Sequence, residues 1–70
     1  MSGDDFRAVS YSFEDAGRAT GYSKDIIARA VKAGDLTPRY PLVNGRQLTK
    51  PVIEHDELSR WVAAGRTERA

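Results

Sequence analysis

Two short stretches of this chain contain residue types that enzymes and metal sites use. Glu54-His55-Asp56-Glu57 offers one imidazole and three carboxylates, which serve elsewhere as metal ligands and as acid–base groups. Consecutive residues at the start of a helix point in divergent directions, so these side chains cannot converge on one ion, and acids there instead favour the helix dipole. Gly21-Tyr22-Ser23-Lys24-Asp25 lacks the last glycine of a nucleophile elbow, and no predicted strand leads into it. The sequence therefore predicts no enzyme, no metal site and no cofactor.

The cationic side chains are more informative, because they are concentrated in the middle of the chain. Residues 18–50 carry seven lysines and arginines against two acids, a net charge of +5 in a chain whose total is +1. Residues 1–17 and 51–65 carry net charges of −3 and −2. A basic middle between acidic flanks is typical of a protein that binds a polyanion on one face, although chance clustering gives the same pattern.

Two predicted helices position many of these cations. Ser12 is a good N-cap for a helix from Phe13 to about Thr20 that ends at Gly21. Ser23 is an N-cap for a second helix, residues 24–33, that ends at Gly34. At 100° per residue, the second helix places an apolar set on one side: Ile27, Ala30 and Val31. The other side carries the polar and small positions Asp25, Ala28, Arg29 and Lys32, with Lys24 and Ile26 on the flanks.

A β-hairpin is predicted after the second helix. Asn44-Gly45 is the strongest short turn signal, and β-prone runs at 36–43 and 46–53 flank it. A two-residue turn pairs Val43 with Arg46. Pro38, Pro41 and Pro51 cannot donate to a ladder, so the strands are expected to be edge-like and broken by bulges.

The ends of the chain complete the prediction. Residues 6–11 are a candidate short strand, and a third helix is predicted to begin within residues 53–57 and to end at Gly65. One domain is expected at 10–65, with 1–9 a flexible acidic leader or short strand and 66–70 a polar tail. The expected core consists of the large apolar and aromatic side chains Phe13, Tyr22, Ile27, Val31, Leu36, Ile53, Leu58, Trp61 and Val62.

The order of these motifs resembles that of a known family. The residues that carry the likeness are Ser12-Phe13-Glu14-Asp15-Ala16, Gly21-Tyr22-Ser23, Lys32-Ala33-Gly34-Asp35-Leu36, Asn44-Gly45-Arg46, Ile53, Asp56-Glu57-Leu58 and Trp61. Together they resemble the excisionase and MerR-type winged helix-turn-helix DNA-binding family over residues 12–62. The resemblance implies a small α+β fold, a winged helix-turn-helix with three helices and a β-hairpin wing between helices 2 and 3. Gly17 stands where that family usually has alanine, a change that weakens a helix by about 0.5–1 kcal/mol.

The resemblance also implies a binding mode, with helix 2 in the major groove and the wing along the adjacent minor groove or the backbone. On the recognition helix the candidate DNA-binding residues are Ser23, Lys24, Asp25, Ala28, Arg29 and Lys32. On the wing and its flanks they are Arg18, Arg39, Asn44, Gly45, Arg46 and Lys50. Simpler roles remain open for several of them: Ser23 is first an N-cap, Asp25 and Arg29 could form an ion pair, and any hairpin needs such a turn.

The expected function is that of a phage or mobile-element excisionase-like factor that sets the direction of recombination. This branch is favoured because the chain ends at Ala70, before the long dimerisation helix and effector domain of MerR-type regulators. The expected partners are double-stranded DNA, further copies of the chain on adjacent sites and an integrase or recombinase, with no small-molecule effector. The alternatives are a small helix-turn-helix transcriptional regulator, or a protein-interaction module whose Glu54, Asp56 and Glu57 dock a basic partner.

The expected location is the cytoplasm, with association with the nucleoid when the protein is bound to DNA. The sequence contains no cysteine, which fits a reducing compartment. No apolar run approaches the length that a membrane span needs, so no membrane partner is expected.

Overall fold

The computed structural model describes residues 8–67 of the chain. Its elements, in chain order, are β1 (Ser10–Tyr11), α1 (Phe13–Thr20), α2 (Lys24–Ala33), β2 (Leu42–Val43), β3 (Arg46–Gln47), β4 (Ile53–Glu54) and α3 (His55–Ala63). Within this part of the chain the fold is α+β, with three helices and two small antiparallel sheets. Most of the predicted leader, residues 1–9, and residues 68–70 of the predicted tail lie outside the described residues.

The first two helices begin and end where the sequence predicts. The Ser12 hydroxyl oxygen accepts a hydrogen bond from the backbone N–H of Asp15 at 3.0 Å, and that of Ser23 accepts one from Ile26 at 3.3 Å. Each serine thus satisfies one of the N–H groups that a helix start leaves without an intrahelical partner. Both helices end at a glycine with positive φ, a conformation that glycine adopts without steric strain.

Gly17 allows α1 to approach the start of α2 closely. A Cβ atom at this position would lie 2.7 Å from the carbonyl carbon of Ser23 and 2.9 Å from the backbone nitrogen of Lys24. Both are backbone atoms, which cannot move aside as a flexible side chain can. The propensity cost that the sequence assigns to Gly17 is therefore not its whole effect, because any side chain here would push the two helices apart.

The chain folds back so that β1 pairs with β4 in antiparallel register, with Tyr11 opposite Ile53 and Ser10 opposite Glu54. Within the described residues, the predicted strand at 6–11 is formed only by Ser10–Tyr11. Ile53 lies in both the predicted β-prone run 46–53 and the predicted start of the third helix, and the structure has it as strand. Glu54, predicted only at the helix start, is strand as well, because pairing with β1 holds it extended. Helix α3 accordingly starts at His55, and it ends at Ala63, followed by a right-handed Ala64 rather than a left-handed Gly65.

The predicted hairpin forms with the predicted register. Val43 pairs with Arg46 and Leu42 with Gln47, and Asn44 and Gly45 take the positive φ values, 52° and 76°, that a two-residue turn requires. The backbone N–H of Leu48 donates to the carbonyl oxygen of Pro41. Pro41 has no N–H group, so the reciprocal hydrogen bond of a regular ladder cannot form. The next pair is Arg39 with Val52, whereas an unbroken ladder would pair Arg39 with Lys50. Two extra residues therefore bulge from the returning strand, as the prolines predict.

The core lies where α1, α2, β4 and α3 meet. Its buried residues are Ala16, Ile27, Ala30, Leu36, Ile53 and Leu58, and Tyr11, Phe13, Val31 and Trp61 pack against them, partly exposed. Tyr22 and Val62, expected in the core, are 63% and 54% exposed. Tyr22 lies in the turn between α1 and α2, where its ring meets Trp61 edge-on from outside. Leu58 and Trp61 lie on the side of α3 that faces the core. Val62, the next residue along the helix, lies beside that face and is more than half exposed.

Candidate nucleic-acid interface

The outer side of α2 forms a surface that we call the α2 ridge, composed of Lys24, Asp25, Ala28, Arg29 and Lys32. All five residues are exposed, while Ile27 and Ala30 on the opposite side of the same helix are buried in the core. The division that the 100° periodicity predicts is therefore present. Neither the hairpin nor α3 covers this side of the helix.

The cations of the α2 ridge keep their charge available. Among residues 8–67, the ion pairs are formed by Arg18, Arg39 and Arg60, and none involves Lys24, Arg29 or Lys32. The alternative pairing of Asp25 with Arg29 does not occur in this set. With Asp25 as its one acid, the α2 ridge carries a net charge of +2 along about two turns of an exposed helix, which gives a positive surface potential that attracts a polyanion.

Ser23, at the start of α2, holds its helix-capping position and is also exposed. Its hydroxyl oxygen accepts from the Ile26 N–H, so the capping role that the sequence gives it first is observed. The hydroxyl proton is not used by that bond and can donate to an acceptor outside the protein.

Arg18 and Arg39 are less available than the ridge cations. The Arg18 guanidinium lies 3.3 Å from the Glu14 carboxylate and 3.6 Å from that of Asp15. Arg39 Nε donates to Glu54 Oε1 at 3.0 Å, across the strand pair that Arg39 forms with Val52. These pairs are exposed, and such pairs contribute less than about 1 kcal/mol, so each arginine can exchange its partner for a phosphate.

The hairpin supplies a second exposed group of predicted site residues. Asn44, Gly45, Arg46 and Lys50 are all exposed, as is every residue from 39 to 50. Arg46 and Lys50 join none of the ion pairs formed within the described part of the chain. Charge is therefore available at the turn and in the bulge that follows.

Two of the three acids in residues 54–57, Glu54 and Glu57, form contacts within the fold. Glu54 pairs with Arg39, while Glu57 Oε2 accepts from the Thr37 backbone N–H at 2.9 Å and from Arg60 at 2.8 Å. The hydrogen bond from Thr37, followed by that from Arg60, lowers the pKa of Glu57 below its ordinary value. No sequence signal reveals the contact with Thr37, because it joins residues twenty positions apart.

His55 also has a separate partner. Its Nδ1 lies 3.0 Å from the Tyr11 hydroxyl, and its backbone N–H donates to the carbonyl of Val9. Nowhere in residues 8–67 do three or more histidine or carboxylate side chains come together as a metal site would require. Also within that range, no helix has both the length and the apolarity to cross a bilayer.

The predicted site residues thus occupy two exposed surfaces, the α2 ridge with Ser23 and the hairpin with its bulge, and Arg18 and Arg39 are paired with acids. The packing role of Gly17 was not predicted: the lack of a side chain there lets α1 approach the start of α2 and thereby positions the ridge. Comparison of the chain with protein-family models, curated proteins and solved structures found no match.

Proposed function

We propose that the chain is a double-stranded DNA-binding protein of the winged helix-turn-helix type. In this proposal α2 lies in the major groove and the hairpin is the wing. The observation that carries it is the α2 ridge, where Lys24, Arg29 and Lys32 are exposed and free of ion pairs within the described residues. The major groove of B-DNA admits one α-helix, and a helix packed on one side and cationic on the other suits that groove.

Individual roles follow from the chemistry of each side chain. Arg29 can bond a guanine bidentately or pair with a phosphate, and Lys24, near the helix start, can reach a phosphate or a base. Ser23 can donate its hydroxyl proton to a phosphate while its oxygen remains the helix cap. Asp25 can accept from a cytosine amino group or orient Arg29, and the small Ala28 lets the helix approach the base edges.

The biological role that we favour is that of an excisionase-like factor from a phage or another mobile element. That role rests on the sequence resemblance, and it implies neighbouring copies on DNA and an integrase or recombinase partner. A small transcriptional regulator that occludes a promoter would use the same surface. A DNA-bending assay with a recombinase present would separate these two roles.

A protein-interaction module is the less favoured proposal. It would use the acidic residues of 54–57 to dock a basic partner. Glu57 instead contacts Thr37 and Arg60 of the same chain, and Glu54 forms an exposed ion pair with Arg39, so Asp56 is the one acid of that group without a partner within the described residues. Residues 54–57 thus offer fewer unpaired charges than the α2 ridge.

The substitution Arg29→Glu tests the DNA-binding proposal. A duplex is first selected by gel shift from random DNA, and affinity is then measured over a range of salt concentrations. With about 4–6 phosphates neutralised, the logarithm of the wild-type binding constant should fall against that of salt with a slope of about −4 to −5. Arg29→Glu should weaken binding at least about tenfold at fixed salt, because it removes a contact and adds repulsion.

Arg66→Glu is the matched control. Arg66 is exposed and lies outside the proposed interface. Its replacement by glutamate changes the net charge by the same amount as Arg29→Glu. It should leave affinity nearly unchanged, and Trp61 fluorescence should report an intact fold in both variants. A slope near zero, or wild-type affinity in a folded Arg29→Glu protein, contradicts the proposal.

A further inference from the structure

One arginine near the base of the hairpin is held at both its backbone and its side chain. The backbone N–H of Arg39 donates to the carbonyl oxygen of Val52 at 2.8 Å, and the Arg39 carbonyl accepts from the Val52 N–H at 2.9 Å. Toward the end of the side chain, Nε donates to Glu54 Oε1 at 3.0 Å. The Arg39 side chain is nevertheless 66% exposed. It is therefore fixed in position and still accessible to a ligand.

The strand register places this ion pair on the outer face of the strands. Residues directly opposite each other in an antiparallel pair lie on the same face, and successive residues alternate. Arg39 is opposite Val52, so Glu54, two positions further along, lies diagonally across from Arg39 on the same face. Ile53, between Val52 and Glu54, lies on the other face and is fully buried. The guanidinium and the carboxylate thus meet on the face that points away from the core.

Glu54 contacts one edge of the guanidinium and leaves another edge free. The two terminal nitrogens of an arginine, Nη1 and Nη2, form a fork that can donate to two oxygens of one phosphate. Among the described residues, the side-chain hydrogen bond of Arg39 comes from Nε, and neither Nη1 nor Nη2 donates one. The fork of Arg39 is therefore available while Nε remains bonded to Glu54.

Arg18 shows the opposite arrangement. Its Nη2 lies 3.3 Å from Glu14 Oε2, and its Nη1 lies 3.6 Å from Asp15 Oδ1. Acids flank the fork itself, so a phosphate would have to displace at least one of them. The acids compete with an anionic ligand at Arg18, whereas at Arg39 the acid and the ligand would contact different nitrogens.

An arginine that is ordered before it binds loses less freedom when the ligand arrives. A long side chain loses rotamer freedom in a complex, and this loss weakens association. Arg39 has already lost part of that freedom within the folded chain, through its contacts with Val52 and Glu54. Repulsion between Glu54 and a phosphate on the fork is weak, because the two anions lie on different edges of an exposed group in contact with water.

We infer that Glu54 is a positioning residue for DNA binding, which holds Nε of Arg39 so that the fork binds a backbone phosphate. This inference rests on the proposed DNA binding, and it gives a favourable role to an acid within the interface. Net charge alone predicts the opposite, because removal of a carboxylate makes the chain more positive and more attractive to DNA. The two explanations therefore predict opposite effects of one substitution.

The substitution Glu54→Ala distinguishes them. Affinity is measured with the duplex and salt series used for Arg29→Glu. Glu54→Ala should weaken binding about threefold or more although it raises the net charge by one unit, because Arg39 must then be ordered by the DNA alone. Glu54→Gln should bind within about twofold of wild type, since its amide oxygen can still accept from Nε.

Arg39→Gln tests the other member of the pair. This substitution should make the salt slope less negative by about 1, because it removes one phosphate contact. In the Arg39→Gln protein, the additional change Glu54→Ala should no longer weaken binding, because both substitutions act on the same contact.

Asp56→Ala is the matched control. Asp56 is exposed, lies two residues from Glu54 and joins none of the ion pairs of residues 8–67. Its replacement changes the net charge by the same amount as Glu54→Ala, and the variant should bind at least as tightly as wild type. Thermal unfolding followed by Trp61 fluorescence checks that every variant folds.

The outcomes separate this inference from the proposal on which it rests. If Glu54→Ala binds as tightly as wild type or more tightly, Glu54 does not position Arg39 for DNA and the inference is overturned. It is also overturned if Glu54→Ala weakens binding equally in the Arg39→Gln protein, or if Arg39→Gln changes neither affinity nor slope. In each of these cases DNA binding stands as long as Arg29→Glu weakens it. If the wild-type protein binds no duplex, both fail.

Discussion

Glu57 joins α3 to the segment that follows α2 through one carboxylate oxygen. Its Oε2 accepts from both the Thr37 backbone and the Arg60 guanidinium. Hydrogen bonds to an ionised carboxylate stabilise the ionised form, so the pKa of Glu57 is lower in the folded protein than its ordinary value of 4.5. This side chain therefore makes the stability of the fold depend on pH.

The substitution Glu57→Gln should reduce that dependence. Because the pKa is lowered on folding, the Glu57 contribution is fully present above pH 4.5 and is lost as pH falls through the lower, folded-state pKa. Urea unfolding should show the variant less stable than wild type at pH 7, and the difference between them should shrink as the pH falls below 4.5. Asp56→Asn, an exposed neighbour on α3, is the control. A difference between variant and wild type that stays constant from pH 7 into the acid range contradicts the assignment.

At the level of elements, the junction of α1 with α2 depends on the missing side chain of Gly17. Alanine is the better helix former by up to about 1 kcal/mol, so propensity alone predicts that Gly17→Ala stabilises the protein. The contacts of 2.7 and 2.9 Å with the Ser23–Lys24 backbone predict the reverse. Gly17→Ala should lower the free energy of unfolding by about 1–3 kcal/mol, as overpacking commonly does.

Thermal unfolding of Gly17→Ala, followed by Trp61 fluorescence, measures this effect. Ala19→Gly, at an exposed position of the same helix, is the control for propensity and should cost about 0.5–1 kcal/mol. A rise in the melting temperature of Gly17→Ala would show that the two helices are not held so closely.

The elements that the sequence predicts well are those fixed by neighbouring residues. Ser12 and Ser23 cap helices through contacts three residues away, and Asn44-Gly45 fixes the register of the hairpin by its own turn. Segments fixed by distant partners were not predictable in this way. The strand at 53–54 depends on pairing with β1, and the role of Gly17 depends on the path of the backbone at Ser23.

The candidate site follows the same rule at the scale of side chains. The exposed face of α2 follows from helical periodicity alone, because the opposite face carries Ile27 and Ala30. The hydrogen bonds of Arg39 with Glu54 and of Glu57 with Thr37 could not be predicted from periodicity, because each joins residues at least fifteen positions apart. Tyr22 and Val62 were expected inside because they are large and apolar, yet so small a domain has too little interior to cover every such side chain.

At the scale of the whole molecule, the small core makes stability sensitive to any bound ligand. Only three large side chains of the described residues are fully buried: Ile27, Leu36 and Ile53. The free energy of unfolding is therefore expected to be a few kcal/mol, roughly 3–5. If duplex DNA binds the folded state, a concentration one hundred times the dissociation constant adds about 2.7 kcal/mol. That contribution is comparable to the stability of the free domain.

The selected duplex should therefore raise the melting temperature by roughly 10–20 °C at that concentration, given the shift of about 4–8 °C per kcal/mol typical of this size. Circular dichroism with and without DNA measures the shift. At the same DNA concentration the Arg29→Glu protein should gain much less. An unchanged melting temperature for wild type at saturating duplex argues against binding to the folded state.

The offset pairing at the base of the hairpin has a practical consequence. Beyond the bridge between Arg39 and Val52, the described chain runs out to the Asn44-Gly45 turn and back without contributing a buried side chain. The loop of chain at this tip can be lengthened, shortened or exchanged for that of another protein while the interior stays as it is. An epitope or fluorophore inserted there would leave the remainder of the domain free to fold.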